Sequence, residues 1–229
     1  MYRKFLTARS PLRVLEQGLH GGLGKGKLGL VLAGAGVGKS SFLVGVALDD
    51  LLRGDRVLHV VLDQTVAHTR AHYDTVFAEL RATTRLEDGA AVQSEIDQLR
   101  AIRAYPVAGF GARKLRDAVK LCEETGGKPG AVIVEGFDVA RASAAELEAL
   151  RALATEIPAE IWFSASLSSE RIASLPEAFV HARDYFAVVL ALEPESGAVA
   201  LRALKDHENP NPEALRVALD PKTLLLKRS

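Results

Sequence analysis

Apolar residues fall along this chain in two rhythms. Some form short unbroken runs; others return every three or four positions. The runs read as strands buried on both faces, and the longer periodic stretches as amphipathic helices. A first strand is expected over about 27–32 and its helix over about 39–53. Gly54-Asp55 turns the chain into a nearly all-apolar second strand at 56–62. A helix over 65–86 then carries Val66, Tyr73, Phe77 and Leu80 inward. Residues 87–104 read as a charged helix, and Ala104-Tyr105-Pro106-Val107 as a short edge strand. A helix over 112–125 stops at Gly126-Gly127, and a short strand follows at 131–134. A helix over 144–157 and a strand at 161–164 continue the alternation. The runs 186–192 and 198–204 flank Glu193-Pro194-Glu195-Ser196-Gly197 as a hairpin, and 215–219 with 223–227 read as a last pair.

This alternation predicts an α/β fold, with a mostly parallel sheet, helices on both faces and a C-terminal antiparallel hairpin extending one edge. Residues 1–26 read as a lead-in packed on the core. In it Ser10-Pro11 starts a short helix with Leu12, Leu15 and Leu19 on one side, and His20 to Gly26 forms a glycine-rich loop. Residues 27–229 read as one domain, and a chain of 229 residues can bury a full core of this kind. Lys plus Arg and Asp plus Glu are 29 each, so no net charge draws the chain toward nucleic acid or an anionic membrane. Cys122 stands alone, which excludes an intrachain disulfide. Its apolar neighbours at helical spacing point to core packing. Met1 to Thr7 has no long apolar stretch, and no run approaches the roughly 20 residues of a membrane span. The expectation is a cytoplasmic protein without membrane attachment.

The candidate chemistry lies between the first strand and its helix. Ala33-Gly34-Ala35-Gly36-Val37-Gly38-Lys39-Ser40 has the build of a P-loop, although the strict pattern has glycine where Ala33 stands. Glycine lets successive N–H groups turn inward around a phosphate, and the helix N-terminus adds unpaired donors. The backbone of Gly34, Ala35, Gly36, Val37 and Gly38, with Lys39, Ser40 and Ser41, is thus expected to hold a triphosphate. Lys39 would reach the β- and γ-phosphates, and the Ser40 hydroxyl would ligate Mg²⁺.

Mg²⁺ also needs an acid at the end of another strand. Ala131-Val132-Ile133-Val134-Glu135 supplies one, with Glu135 reaching the ion through a water and Asp138 as a second candidate. Hydrolysis needs a group that handles the attacking water. Asp63 and Gln64 end the second strand at the sheet's carboxyl edge, where Asp63 could act as base and Gln64 could orient. The plainer alternative is a helix cap at Asp63 or Thr65. His59 reads as a packed, hydrogen-bonded core residue and Trp162 as core. His68 and His72 lie one helical turn apart, and a solvated helix face fits them better than a metal site. Ser164 or Ser166 could sense a γ-phosphate or belong to a polar loop.

Gly22 to Val31 followed by Ala33 to Ser40 resembles the opening of RecA-superfamily ATPases, in particular the KaiC and DnaB-helicase branch. The run Arg53 to Asp63 and the tail Val188–Glu193 with Leu201–His207 are similar to that branch as well, so the likeness covers roughly residues 18–227. The resemblance implies a RecA-like core, ATP, Mg²⁺ and a homo-oligomeric ring or filament with nucleotide between subunits. It also implies that Lys205 acts in trans on a neighbour's nucleotide. The chain departs from the family at three places. His207 stands where arginine is common, Asp63 or Gln64 falls where the catalytic glutamate is, and Glu135 replaces the usual aspartate.

Three softened positions suggest slow hydrolysis. The expected function is therefore an ATP-binding, slow Mg-dependent ATPase acting as an oligomeric switch or regulator. One alternative is a DNA-dependent motor or recombinase, although the candidate loops 136–143 and 166–176 carry only Arg141 and Arg171 as cations. The other is a non-hydrolysing, ATP-bound scaffold read by a protein partner. GTP is not excluded by any motif.

Overall fold

A computed structural model describes residues 10–169, 171–209, 211–212 and 214–228. Six strands run parallel: β1 (Leu28–Gly34), β2 (Val57–Leu62), β3 (Arg100–Tyr105), β4 (Ala131–Glu135), β5 (Glu160–Leu167) and β6 (Val188–Glu195). Beyond β6, β7 (Ala198–Asp206), β8 (Ala214–Leu219) and β9 (Leu226–Arg228) add in antiparallel fashion. Together they form one nine-stranded sheet in the order β3-β2-β4-β5-β1-β6-β7-β8-β9. The helices are α1 (Leu12–Gly18), α2 (Lys39–Arg53), α3 (Val66–Thr84), α4 (Gly89–Leu99), α5 (Ala112–Gly126), α6 (Ala144–Glu156) and the single turn α7 (Glu177–Val180).

The two faces of the sheet follow from the alternation of side chains along each strand. Val31, Val57, Ile133, Trp162 and Leu190 point to one face, where Leu15 of α1, Phe42 of α2, Tyr73 of α3 and Ile96 of α4 cover them. Leu30, Leu58, Val132, Phe163 and Val189 point to the other, under Leu115 of α5 and Leu150 of α6. Each fully buried Leu or Phe of this kind contributes about 1.5–3 kcal/mol of apolar transfer. Cys122 and Trp162 are buried as expected, and Leu12, Leu15 and Leu19 of the lead-in join the first face. Among the described residues no helix is long and apolar enough to cross a membrane.

Several details differ from the sequence reading. The edge strand β3 occupies Arg100–Tyr105 and not 104–107, because α4 stops at Leu99 and Pro106 has no N–H to continue the ladder. The cations that made 87–104 look helical belong partly to that strand, and the Arg100 guanidinium stacks 4.7 Å from the centre of the Tyr73 ring. The late hairpin is tighter than its five-residue spacer suggests. β6 continues to Glu195, and Ser196-Gly197 makes the turn with Gly197 at φ +76°. The last strand starts at Leu226, not 223, because the Asp220 side chain accepts from the N–H groups of Lys222 (2.8 Å) and Thr223 (3.3 Å) and holds a turn there. Val66, expected inward, opens α3 and is exposed.

Candidate functional site

The loop between β1 and α2 leaves the carboxyl edge of the sheet beside β5 and β6. Its turn depends on two glycines in the left-handed region, Gly36 at φ +76° and Gly38 at φ +115°. A Cβ on Gly38 would also lie 2.5 Å from Leu219 Cδ2, so the last residue of β8 packs directly against the loop. Gly38 caps α2 without a side chain, leaving the first-turn N–H groups of a 15-residue helix directed at the loop. The Lys39 ammonium curls back and donates to the carbonyls of Gly34 (2.9 Å) and Ala33 (3.3 Å). Burial pushes its pKa down, and the nearby Glu135 carboxylate opposes that shift.

Ser40 and Glu135 meet as the sequence pattern requires: the Ser40 hydroxyl donates to Glu135 Oε2 at 2.5 Å. The other carboxylate oxygen, Oε1, lies 3.0 Å from His59 Nε2, and His59 Nδ1 lies 3.0 Å from the Tyr73 hydroxyl. His59, Glu135 and Tyr73 are all buried. Burial alone would raise the Glu135 carboxyl. The hydrogen bond from His59, then the Ser40 hydroxyl and the His72 imidazole, outweigh burial and hold it below the usual carboxylate range. For Tyr73 burial dominates and pushes the phenol far up.

Two clefts open onto this centre. One, of about 250 Å³, lies between the loop and α3 and is lined by Ser41, Gln64, His68, Thr69 and His72 as well as Glu135. The other, of about 560 Å³, opens toward the ends of β4 and β5 and is lined by Gln64, Asp138, Ser164 and Ser166. Gly36, Lys39 and Ser40 border both. His72, half-buried, places Nε2 3.2 Å from the Ser41 hydroxyl, so it turns into the site while His68 keeps the exposed face expected of both. Burial is the leading cause that lowers the His72 pKa.

The expected water-handling pair divides. Gln64 borders both clefts. Asp63 lines neither: it sits at φ +53°, and its Oδ1 accepts from the Val107 N–H at 3.1 Å, which ties the end of β2 to the loop after β3. Asp138 accepts from the Arg141 N–H at 3.2 Å, opening a short 3₁₀ turn. Lys205 is not brought to the loop of its own chain. It pairs across from Val189, beside Leu30, toward the other end of β1, and its ammonium donates to the Arg183 carbonyl at 3.0 Å. His207, at φ +51°, is held by the Gly22 carbonyl at 2.9 Å.

The donor set fits a triphosphate with a hard divalent cation. Left-handed glycines shape the turn, a helix N-terminus and an ammonium face it, and a hydroxyl and a carboxylate converge. Among the described residues no group of three or more His, Cys, Asp or Glu side chains forms a self-contained metal site, so a cation here would draw its other ligands from phosphate and water. No model of a known protein family and no curated protein matches the chain.

Reading residues singly missed the His59–Glu135 bond. Its signal was parity. In the β2–β4 register His59 stands beside Ile133 and Val61 beside Glu135, so His59 and Glu135 are diagonal neighbours on one face.

Proposed function

We propose that this chain binds ATP with Mg²⁺ at the loop after β1 and acts as a slow Mg-dependent ATPase, an oligomeric switch of the RecA/KaiC kind. The observation that carries the reading is the 2.5 Å hydrogen bond between Ser40 and Glu135. A glycine-rich turn alone can serve packing. A turn whose helix offers a hydroxyl to an ionised strand-end carboxylate brings together the groups that a Mg-nucleotide requires.

In this reading the loop N–H groups and the α2 N-terminus take the phosphate oxygens. Lys39 leaves its two carbonyls for the terminal phosphates. Ser40, and Glu135 through a water, would hold Mg²⁺, which would supply positive charge against the phosphate oxygens. Gln64, on both clefts, orients water, and Ser164 and Ser166 line the path to the terminal phosphate. Lys205 would serve a neighbouring subunit. A non-hydrolysing scaffold is the second reading, and one observation favours it: the only carboxylate at the end of β2, Asp63, is engaged by the Val107 N–H.

The test is particle size with and without Mg-ATP, paired with phosphate release and with Lys39→Ala as control. Nucleotide-dependent assembly with slow release supports the switch. Assembly without release supports the scaffold, which turnover above about 0.1 per second, still low for an enzyme, would exclude. Nucleotide affinity unchanged in Lys39→Ala would falsify the site.

A further inference from the structure

Glu135 is one methylene longer than aspartate, and a longer side chain has one more torsion to restrain before it can hold a ligand in place. The buried groups around it supply that restraint. A carboxylate can only accept, so His59 donates its Nε2–H to Oε1 across 3.0 Å. The Tyr73 hydroxyl then donates to Nδ1, 3.0 Å away, so a neutral imidazole with its one proton on Nε2 satisfies both bonds. Tyr73 is itself fixed, fully buried, with the His59 ring edge-on at 5.6 Å between centres and the Arg100 guanidinium over its ring, 4.7 Å from the centre. The chain Tyr73–His59–Glu135–Ser40 thus runs from the middle of α3 to the first turn of α2, through two neighbouring strands.

Ordinary core packing does not require this arrangement. A buried imidazole between two apolar strands would be satisfied by Tyr73 and a backbone carbonyl. Here it is spent on the carboxylate that Ser40 of the phosphate loop also meets, leaving Glu135 Oε2 for Ser40. We infer that His59 is a positioning residue for Glu135. With Tyr73 behind it, His59 sets the rotamer of the glutamate so that Ser40 and Glu135 can hold Mg²⁺ together. The inference rests on the nucleotide reading above and deepens it.

The test measures binding of a fluorescent ATP analogue to the full chain, in EDTA and across a Mg²⁺ titration, for wild type, His59→Leu, His59→Gln and Tyr73→Phe. Removing the partner of a direct metal ligand weakens the metal by about 10–100-fold, and the lower end applies here because Glu135 reaches the ion through a water. His59→Leu is therefore expected to raise half-saturating Mg²⁺ by about 10-fold while affinity in EDTA stays within about twofold. His59→Gln keeps an N–H at the reach of Nε2 and is expected to recover most of the loss. Tyr73→Phe, which removes one hydroxyl, is expected to give a shift of a few-fold and covers the case where His59→Leu does not fold. A Mg²⁺ half-saturation unchanged in His59→Leu, or in Tyr73→Phe if the leucine variant is unfolded, overturns the inference and leaves His59 a packing residue. Equal losses in EDTA and in Mg²⁺ overturn it too, since they mean general damage. Wild-type chain that binds no analogue in either condition overturns the nucleotide reading and this one with it, and is told apart because the failure precedes any substitution.

Discussion

Two charged clusters sit on the same helix and are built on opposite terms. At the C-terminal half of α2, Arg53 is paired with Asp50, Asp49 (3.4 Å) and Glu16 (3.6 Å), while Arg13 of α1 is paired with Asp49 and Glu16 (2.5 Å). Cations and carboxylates there offset one another, and the cluster clamps α1 to α2. At the N-terminal end, the Lys39 ammonium is held by two neutral carbonyls, and the nearest acid, Glu135, is occupied by Ser40 and His59. A half-buried cation held only by carbonyls has less compensation for lost hydration than one in an ion pair. The contrast separates a cluster complete within the chain from one that, on the nucleotide reading proposed above, would gain from an anion.

Substitutions on the two ends should therefore separate function from stability. The largest effect is expected from Lys39→Ala. Losing a charged hydrogen-bonding group is worth about 1.5–3 kcal/mol, which corresponds to nucleotide binding weaker by about 10–150-fold in a fluorescence titration, with the melting temperature unchanged. Arg53→Ala should do the reverse. It leaves buried Asp50 without its partner, while Asp49 and Glu16 keep Arg13, and is expected to cost about 2 kcal/mol in denaturant unfolding, below the figure of a fully buried pair because Arg53 keeps some exposure, while nucleotide affinity holds. A loss of binding in Arg53→Ala equal to that in Lys39→Ala would erase the distinction.

The pH dependence of stability sharpens the same comparison. Burial pushes the Asp50 carboxyl from its ordinary 3.8 up to about 7, against the pull of Arg53. Between those values the folded state keeps a proton that the unfolded chain has released. Asp50 thus makes stability fall as pH rises through that window, by at most about 1.4 kcal/mol per pH unit, and adds no slope above it. Asp50→Asn should flatten the profile measured by urea unfolding. The smallest effect is expected at the margin of the Lys39 end. His72→Ala removes the partner of Ser41, a hydrogen bond worth about 0.5–1.5 kcal/mol, and should weaken nucleotide binding by a few-fold without altering oligomer size.

Much of this molecule is legible in its sequence. Continuous apolar runs marked the inner strands because a parallel sheet is buried on both faces, so β1, β2, β4 and β6 needed no alternation to be seen. The loop was legible because glycine spacing and the Gly38-Lys39-Ser40 step are local. Glu135 was legible because it directly ends an apolar run. What the sequence hid was lateral. Arg100 and Arg103 looked helical because a charge does not reveal that its neighbours pair beside β2. Asp63 and Gln64, adjacent in sequence, part company because a left-handed turn at Asp63 sends one carboxylate to Val107 and the next side chain to the clefts. His59 met Glu135 only through the β2–β4 register, which no single strand contains.

Leu219 gives the sheet's late extension a reach beyond its own edge. Its methyl group rests against the glycine that opens α2, yet its backbone is laced between β7 and β9. The turn cannot lift without pushing on that leucine, and the outer rim cannot shift without giving the turn slack. A displacement of the outer rim would thus reach the turn through one wedged side chain.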